Sequence, residues 1–290
     1  MAEDAASKPF PNMYEDNFGG VTIEIHDDEP LMGANDFHVR LAAHLNIFSQ
    51  QEKAGIWLML PLAVSHYVPA AVDLGFTYHH AKPEYCMLTR WLPEDRPSTL
   101  PKPPHTLVGA AGMVINHHGE VLVMQEKFGR PGFWKLPGGL KDQGEDLAAA
   151  AVREVLEETG IDVEFRCVAA FREHHGGAYG ATDFYTICCC VLPEGAEQRP
   201  TPQPQEAEVA ACEWMDVDEF LSAEWYSNGS LLGVHLHTAA EVCRQVLAGE
   251  SSGLNLSQLP AGYSQNGEPA PTHNLYHAGE SLAPKPEAKL

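Results

Sequence analysis

The sequence predicts an α+β protein: a small α/β N-terminal domain followed by a larger domain of sheet and helix. Three observations carry this. A proline-rich segment at residues 91–105 separates two apolar patterns, as a semi-rigid linker would. Beyond it, residues 105–225 are dense in short apolar and β-branched runs bounded by turn residues. Within that strand-rich part, residues 145–159 carry one amphipathic helical pattern that stops at Gly160. The expected divisions are 14–98 for the N-terminal domain, 104–225 for the second domain, and 226–290 for a C-terminal helix and tail.

In chain order, GIWLMLPLAV (55–64) reads as buried strand or core broken at Pro61. TLVGAAGMVI (106–115) and EVLVMQE (120–126) read as strands joined by NHHG as a hairpin turn. VEFRCVAAF (163–171) and TDFYTICCCVL (182–192) follow as strands, then a polar loop over 193–205. AEVAACEWM (207–215) is a further strand, and DVDEFLSA (216–223) a short helix with an Asp cap. HLHTAAEVCRQVLAG (235–249) has helical spacing and ends at Gly249. The tail after it is rich in Pro, Gly and Ser, and its last dozen residues are expected to be disordered.

Charge narrows the function. The 290 residues carry a net charge of −22 with only 18 Lys and Arg, so the chain lacks the broad basic surface of a nucleic-acid binder. The same field repels anionic substrates at long range, and a bound metal ion would offset it locally. No apolar run is long enough to span a membrane. Seven cysteines, an odd number without a C-x-x-C pair, suit reduced thiols. Cys188, Cys189 and Cys190 alternate across a strand and cannot converge on one metal. The acidic N-terminus has no apolar core of a signal peptide and is poor in Arg, so the expected compartment is the cytoplasm, with a nuclear pool open.

The informative stretch is GLKDQGEDLAAAAVREVLEETGI (139–161). Asp142 and Glu145 have capping-box spacing, and Ala148, Val152, Val155 and Leu156 form the expected apolar stripe. Glu154, Glu157 and Glu158 fall on another side at i, i+3, i+4 spacing. Three carboxylates there repel one another and sit at the helix end least suited to anions. A hard divalent cation such as Mg²⁺ accounts for them, because it takes oxygen ligands; a solvated acidic face is the alternative.

The full pattern, G-x5-E-x7-R-E-U-x-E-E-x-G-U with U apolar, runs through Gly139, Glu145, Arg153, Glu154, Val155, Glu157, Glu158, Gly160 and Ile161. It resembles the Nudix box of hydrolases that cleave nucleoside diphosphates linked to another moiety. The resemblance implies an α/β/α sandwich with a mixed sheet and a Mg²⁺- or Mn²⁺-dependent pyrophosphohydrolase. It implies metal binding by Glu154, Glu157 and Glu158 with the Gly139 carbonyl, and a supporting pair of Arg153 and Glu145. Glu154 or Glu158 would take the proton from water. A glutamate outside the box often completes such sites, and Glu206 and Glu208 are candidates; a solvated loop edge is their other reading.

The flanks resemble the plant ADP-ribose/NADH pyrophosphatases and an animal relative, the antisense fibroblast growth factor Nudix protein. Gly55, Trp57, Gly75, Phe76, His79, His80, Ala81, Pro83 and Tyr85 carry the likeness before the box, and NLYH (274–277) after it. The chain departs from those plant members at Pro137–Gly138. It also has His174 and His175 where ADP-ribose hydrolases often carry a proline. Tyr179 has a spacing similar to the diadenosine polyphosphate group. ADP-ribose and NADH are therefore the first substrate expectations, with dinucleoside polyphosphates, coenzyme A or an mRNA cap as alternatives. A nucleotide-sensing or protein-interaction module is the non-enzymatic alternative. Lys127, Lys135 and Arg172 are candidate phosphate contacts, or ordinary surface cations. Phe133 and Trp134 suit core packing or base stacking. His79 and His80, adjacent on a strand, are expected to point apart, one packed and one exposed. The expected partner is a small nucleotide; the N-terminal domain is a candidate dimerisation or regulatory unit, which would make a homodimer.

Overall fold

A computed structural model describes residues 9–26, 32–227, 231–250, 253–259 and 273–277. The final dozen residues, expected to be disordered, lie outside the described residues. The chain divides into two compact units, residues 1–104 and 105–290.

The first unit is a five-stranded sheet of order β1-β2-β3-β5-β4. Its strands are β1 (Asn12–Glu15), β2 (Val21–Glu24), β3 (Gly55–Pro61), β4 (Thr77–Ala81) and β5 (Tyr85–Trp91). β2 and β3 are parallel and the other pairings antiparallel. Helix α1 (Ala34–Gln50) and a short α2 (Val68–Asp73) complete the unit. Strand alternation sends Ile56, Leu58 and Leu60 into the core, where Phe37, Leu41, Leu45 and Phe48 of α1 meet them at helical spacing. The apolar stretch 55–64 is thus a strand to Pro61, where the chain turns into a 3₁₀ segment, Leu62–Tyr67.

The second unit is built on a four-stranded mixed sheet of order β8-β6-β10-β9. These are β6 (Thr106–Val114), β8 (Gly138–Leu140), β9 (Glu164–His174) and β10 (Thr182–Val191). β6 and β10 run parallel; their other pairings are antiparallel. Helix α3 (Leu147–Thr159) packs on one face through Ala150, Ala151 and Val155. Helix α6 (Leu231–Leu247) packs on the other through Leu236, Ala239, Ala240 and Cys243, beside α4 (Val217–Ser222). α5 (Glu224–Ser227) links the two. The result is the α/β/α sandwich. The cysteine run alternates as expected: Cys188 and Cys190 face α3, and Cys189 faces α6.

NHHG makes the expected hairpin turn, closed by a single antiparallel bridge. Asn116 N–H donates to the Glu120 carbonyl at 2.9 Å, its side-chain oxygen accepts from His118 and Glu120, and one bridge joins Ile115 to Val121. β7 (Glu120–Glu126) then leaves β6 and pairs with β11 (Val209–Asp216). The reason is that both edges of β6 are taken by β8 and β10. Asp216 caps α4 by accepting from Asp218 and Glu219 N–H. A ribbon of β12 (Asn255–Leu259) and β13 (His273–His277) brings Tyr276 to the start of α3, where its hydroxyl accepts from Ala148 N–H at 3.3 Å. Among the described residues no helix is long and apolar enough to cross a membrane.

Candidate functional site

The site grows from α3. Asp146, in extended conformation, precedes the helix, and Gly160 ends it in the left-handed region at φ 68°. The Asp142–Glu145 capping box forms only by half, and outside the helix. Glu145 accepts from Asp142 N–H at 3.0 Å while also binding Arg153 at 2.7 and 2.9 Å. The missing half is Asp142's: Glu145 N–H donates to the Asp142 main-chain carbonyl at 3.2 Å. The apolar stripe is also rotated from expectation. Leu156 is 43% exposed, and the buried line runs Ala151, Val155, Glu158. One of the three glutamates therefore stands on the buried edge of the helix.

That placement separates the carboxylates. Glu158 is 7% exposed and accepts from Gly138 N–H at 2.7 Å. Burial pushes its pKa up to about 7, against the opposing pull of Lys135 and the Gly138 hydrogen bond. Glu154 is also raised, by burial first, despite its 2.9 Å contact with Arg153. It lies so close to β8 that a Cβ on Gly139 would stand 2.7 Å from its Oε1. The Glu157 side chain is half exposed and meets Arg153 at 3.0 Å. Arg153 thus touches Glu145, Glu154, Glu157 and the Leu140 carbonyl. It holds Glu145 at about 2.

The donor set is all oxygen, which suits a hard divalent cation. Among the described residues no three acidic, imidazole or thiol groups stand as a preformed metal cluster. The guanidinium of Arg153 bridges Glu154 and Glu157 instead.

The substrate candidates divide. Lys135 and Arg172 reach one cavity of about 220 Å³ beside Gly138, walled by Phe133 and Leu136 of a loop, Tyr185 of β10, Tyr226 of α5, and Leu232 and Leu236 of α6. Lys135 also pairs with Glu126. Arg172 lies over the Tyr185 ring, 5.1 Å from its centroid, and contacts Asp183 at 3.3 Å. Its buried Nε has no hydrogen-bond partner among the described residues. Lys127, in contrast, donates to the Glu206 carbonyl at 2.7 Å, and the side chains of Glu206 and Glu208 are exposed. Tyr179 is fully exposed at φ 58° in a glycine-flanked turn. None of these four residues lines the cavity. Trp134 is half-buried and packs against the core, as does Phe133, which also faces the cavity.

Tyr185, Tyr226 and Leu232 were not singled out from the sequence. The signal for Tyr185 was present: it sits opposite Arg172 in the β9–β10 register. That register is visible only once the strands are paired. His235 of α6 lies behind them, buried, its ring edge-on to Tyr185 with centroids 6.1 Å apart and its pKa lowered by burial.

His79 and His80 do not point apart. A register shift between Tyr78 and His80 lets their Nδ1 atoms meet at 2.7 Å. His79 Nε2 contacts the Pro101 carbonyl at 3.0 Å, and His80 Nε2 the Tyr85 hydroxyl at 3.3 Å. A carbonyl only accepts, so one order of neutral rings satisfies every link. Tyr85 donates to His80, His80 to His79, and His79 to Pro101. Burial, His79 and Lys82 lower the His80 pKa, which favours that neutral form.

Residues 12–92 match the family model described as the Nudix hydrolase domain, and residues 105–232 the NUDIX domain. The chain is 34% identical over 286 residues to Nudix hydrolase 2 of Arabidopsis thaliana, covering 97% of this chain and 95% of that protein. It is 35% identical over 283 residues to Nudix hydrolase 8 of the same plant, covering 96% and 72%. It is 36% identical over 262 residues to nucleoside diphosphate-linked moiety X motif 6 of Mus musculus, covering 86% and 78%.

Proposed function

The chain belongs to the Nudix hydrolase family, and from that premise we propose that it cleaves the pyrophosphate bridge of a nucleoside diphosphate linked to a second moiety. The leading substrates are ADP-ribose and NADH, and the leading ions Mg²⁺ and Mn²⁺. The observation that carries this is the buried Glu158 carboxyl, held near neutrality beside Glu154 and Gly138, at the edge of a cavity that holds Lys135 and Arg172.

Each residue has a definable task. Glu154, Glu157 and Glu158, with the Gly139 carbonyl, would hold the ion. When bound, a divalent cation lowers the pKa of water and neutralises phosphate oxygens. Arg153 orients Glu154 and Glu157, and Glu145 in turn anchors Arg153. Glu158 is the candidate to accept the proton of the attacking water, since burial and the Gly138 N–H fix its carboxylate. Lys135 and the Arg172 fork suit phosphate or ribose oxygens of the departing half. The aromatic and aliphatic walls exclude water from that half and fit a compact ring rather than a polymer.

The test is a substrate panel: ADP-ribose, NADH, diadenosine polyphosphates, coenzyme A and capped RNA, each with Mg²⁺ or Mn²⁺ and products resolved by chromatography. AMP release from ADP-ribose or NADH is expected, with a loss of at least about 10³-fold in Glu157→Gln. Turnover of only another panel member would reassign the substrate. Wild-type rates in Glu157→Gln would remove the metal role, and silence across the panel would favour a nucleotide sensor.

A further inference from the structure

The N-terminal unit carries a second cavity, of about 460 Å³, built entirely from its own residues. Its wall is the sheet face turned away from α1. Ile56 and Leu58 point into the core, so Gly55 and Trp57 point out, and the β3–β5 register sets Trp91 opposite Gly55 on that face. Its rim is the turn Asp16–Gly20. Asp16 Oδ1 accepts from Phe18 N–H at 2.7 Å and Gly20 N–H at 2.8 Å, and these bonds hold the turn rigid. The turn presents the Phe18 ring at 92% exposure. Its roof is the segment Thr99–Pro101. Leu100 lies on Gly55, where a Cβ would come within 2.6 Å of it, and the histidine pair ties Pro101 in place.

Three properties of this cavity point to one ligand chemistry. Phe18, Trp57 and Trp91 all line it without stacking on one another; His79 meets Trp57 edge-on and Arg96 lies over Trp91, which leaves the remaining faces to the cavity. Aromatic faces left apart around an open volume suit a flat ring between them. Asp16 Oδ2 lies over Gly20, in the space a Cβ would fill, and no described residue donates to it. A fixed carboxylate oxygen of this kind accepts from an N–H donor. The volume lies in the range of small-molecule sites, well beyond what a single ion or methylammonium group fills.

We propose that this cavity binds an amino-bearing nucleobase, stacked on the indoles and donating its exocyclic amine to Asp16, as a nucleoside site separate from the glutamate cluster. The strongly acidic chain disfavours an anion buried there, so the base enters and any phosphate stays outside. This proposal does not depend on the hydrolytic reading, since it concerns no residue of the second unit.

The experiment is equilibrium binding by calorimetry on the full chain, in EDTA, with adenosine and inosine. The two differ at the exocyclic amine. Saturable adenosine binding is expected, weakened at least tenfold for inosine. A loss of at least tenfold is also expected in Phe18→Ala and in Asp16→Asn. Phe18→Ala removes a side chain in solvent and leaves the fold intact; thermal unfolding checks Asp16→Asn. Arg172→Ala, which alters the other cavity, should bind adenosine as the wild type does. Absence of adenosine binding, equal binding of inosine, binding that survives Phe18→Ala, or binding lost in Arg172→Ala would each overturn the proposal. Because the assay reads binding without a divalent ion, its failure leaves the hydrolytic reading untouched.

Discussion

The two faces of the four-stranded sheet in the second unit are built by different rules. On the α3 face, the charged residues come from one continuous stretch, and helical spacing alone brings Arg153, Glu154 and Glu157 together, with Glu158 on the buried edge. On the α6 face, the cavity takes Lys135 from a loop, Arg172 from β9, Tyr185 from β10 and Leu232 from α6. The first arrangement is written in local sequence. The second exists only through strand register and tertiary packing. Chemistry shared across a family can reside on the first face, while the second is free to set which half of a substrate fits.

The comparison breaks most sharply at Arg153. Its planar fork grips Glu145 with two nitrogens while a third reaches Glu154 and Glu157. Lysine keeps the charge but offers a single point of attachment. Arg153→Lys is expected to lower kcat about 10–100-fold with little change in KM. Steady-state kinetics over a range of Mg²⁺ concentrations reads it, and a weaker metal dependence should accompany the loss. An unchanged kcat would show that the glutamates hold position without the fork.

Glu158 sharpens the same contrast through pH. Its folded pKa of about 7 lies above the unfolded value of 4.5, so the native state binds the proton more tightly. The sign follows: this contribution to stability is full below pH 4.5 and is lost as pH rises through 7. The whole shift corresponds to about 3 kcal/mol, of which roughly 2 disappears between pH 5.5 and 8.5. Denaturant unfolding of the metal-free protein should show that decline, and Glu158→Gln should flatten it. Added Mg²⁺ should restore stability at pH 8.5 more than at pH 5.5, because it favours the charged carboxylate.

These two faces also explain what the sequence disclosed. The grouping of Arg153 with Glu154 and Glu157, the Gly160 stop, the Asp216 cap and the alternation of Cys188–Cys190 were all legible, because each depends on spacing within one element. What was misread depends on competition or register. Asp142 and Glu145 have capping-box spacing, but the Glu145 N–H donates to the Asp142 main-chain carbonyl, and the helix starts only after Asp146. Leu156 fits an apolar stripe, but the approach of α3 to the sheet buries Glu158 instead. His79 and His80 alternate on an ideal strand, and a bulge turns them to face each other. Strand pairing is not a local property, so Tyr185 could not be matched to Arg172 beforehand.

On the α6 face the expected effects are smaller and of another kind. Arg172 stacks on Tyr185 and keeps one buried N–H without a partner among the described residues. Such a group is costly unless a ligand completes it. Arg172→Ala is expected to raise KM roughly tenfold while kcat falls less than about threefold, the mark of lost binding rather than lost chemistry. Equal falls in kcat and kcat/KM would instead place Arg172 in the reacting machinery.

The smallest effect is expected where sequence spacing suggested a contact and the geometry supplies none. Tyr179 stands fully exposed on a turn between Gly177 and Gly180, and it lines no part of the cavity. Its left-handed φ of 58° is a conformation that a tyrosine adopts only at some cost. Tyr179→Gly should therefore leave kcat and KM for ADP-ribose within about twofold and hold or slightly raise thermal stability. Kinetics with diadenosine tetraphosphate beside ADP-ribose make the test informative. A selective rise in KM for the longer substrate would mean that its second adenosine extends past the Arg172 cavity to this loop. The division between a local reactive face and a register-built recognition face would then need a third, solvent-exposed region to account for specificity.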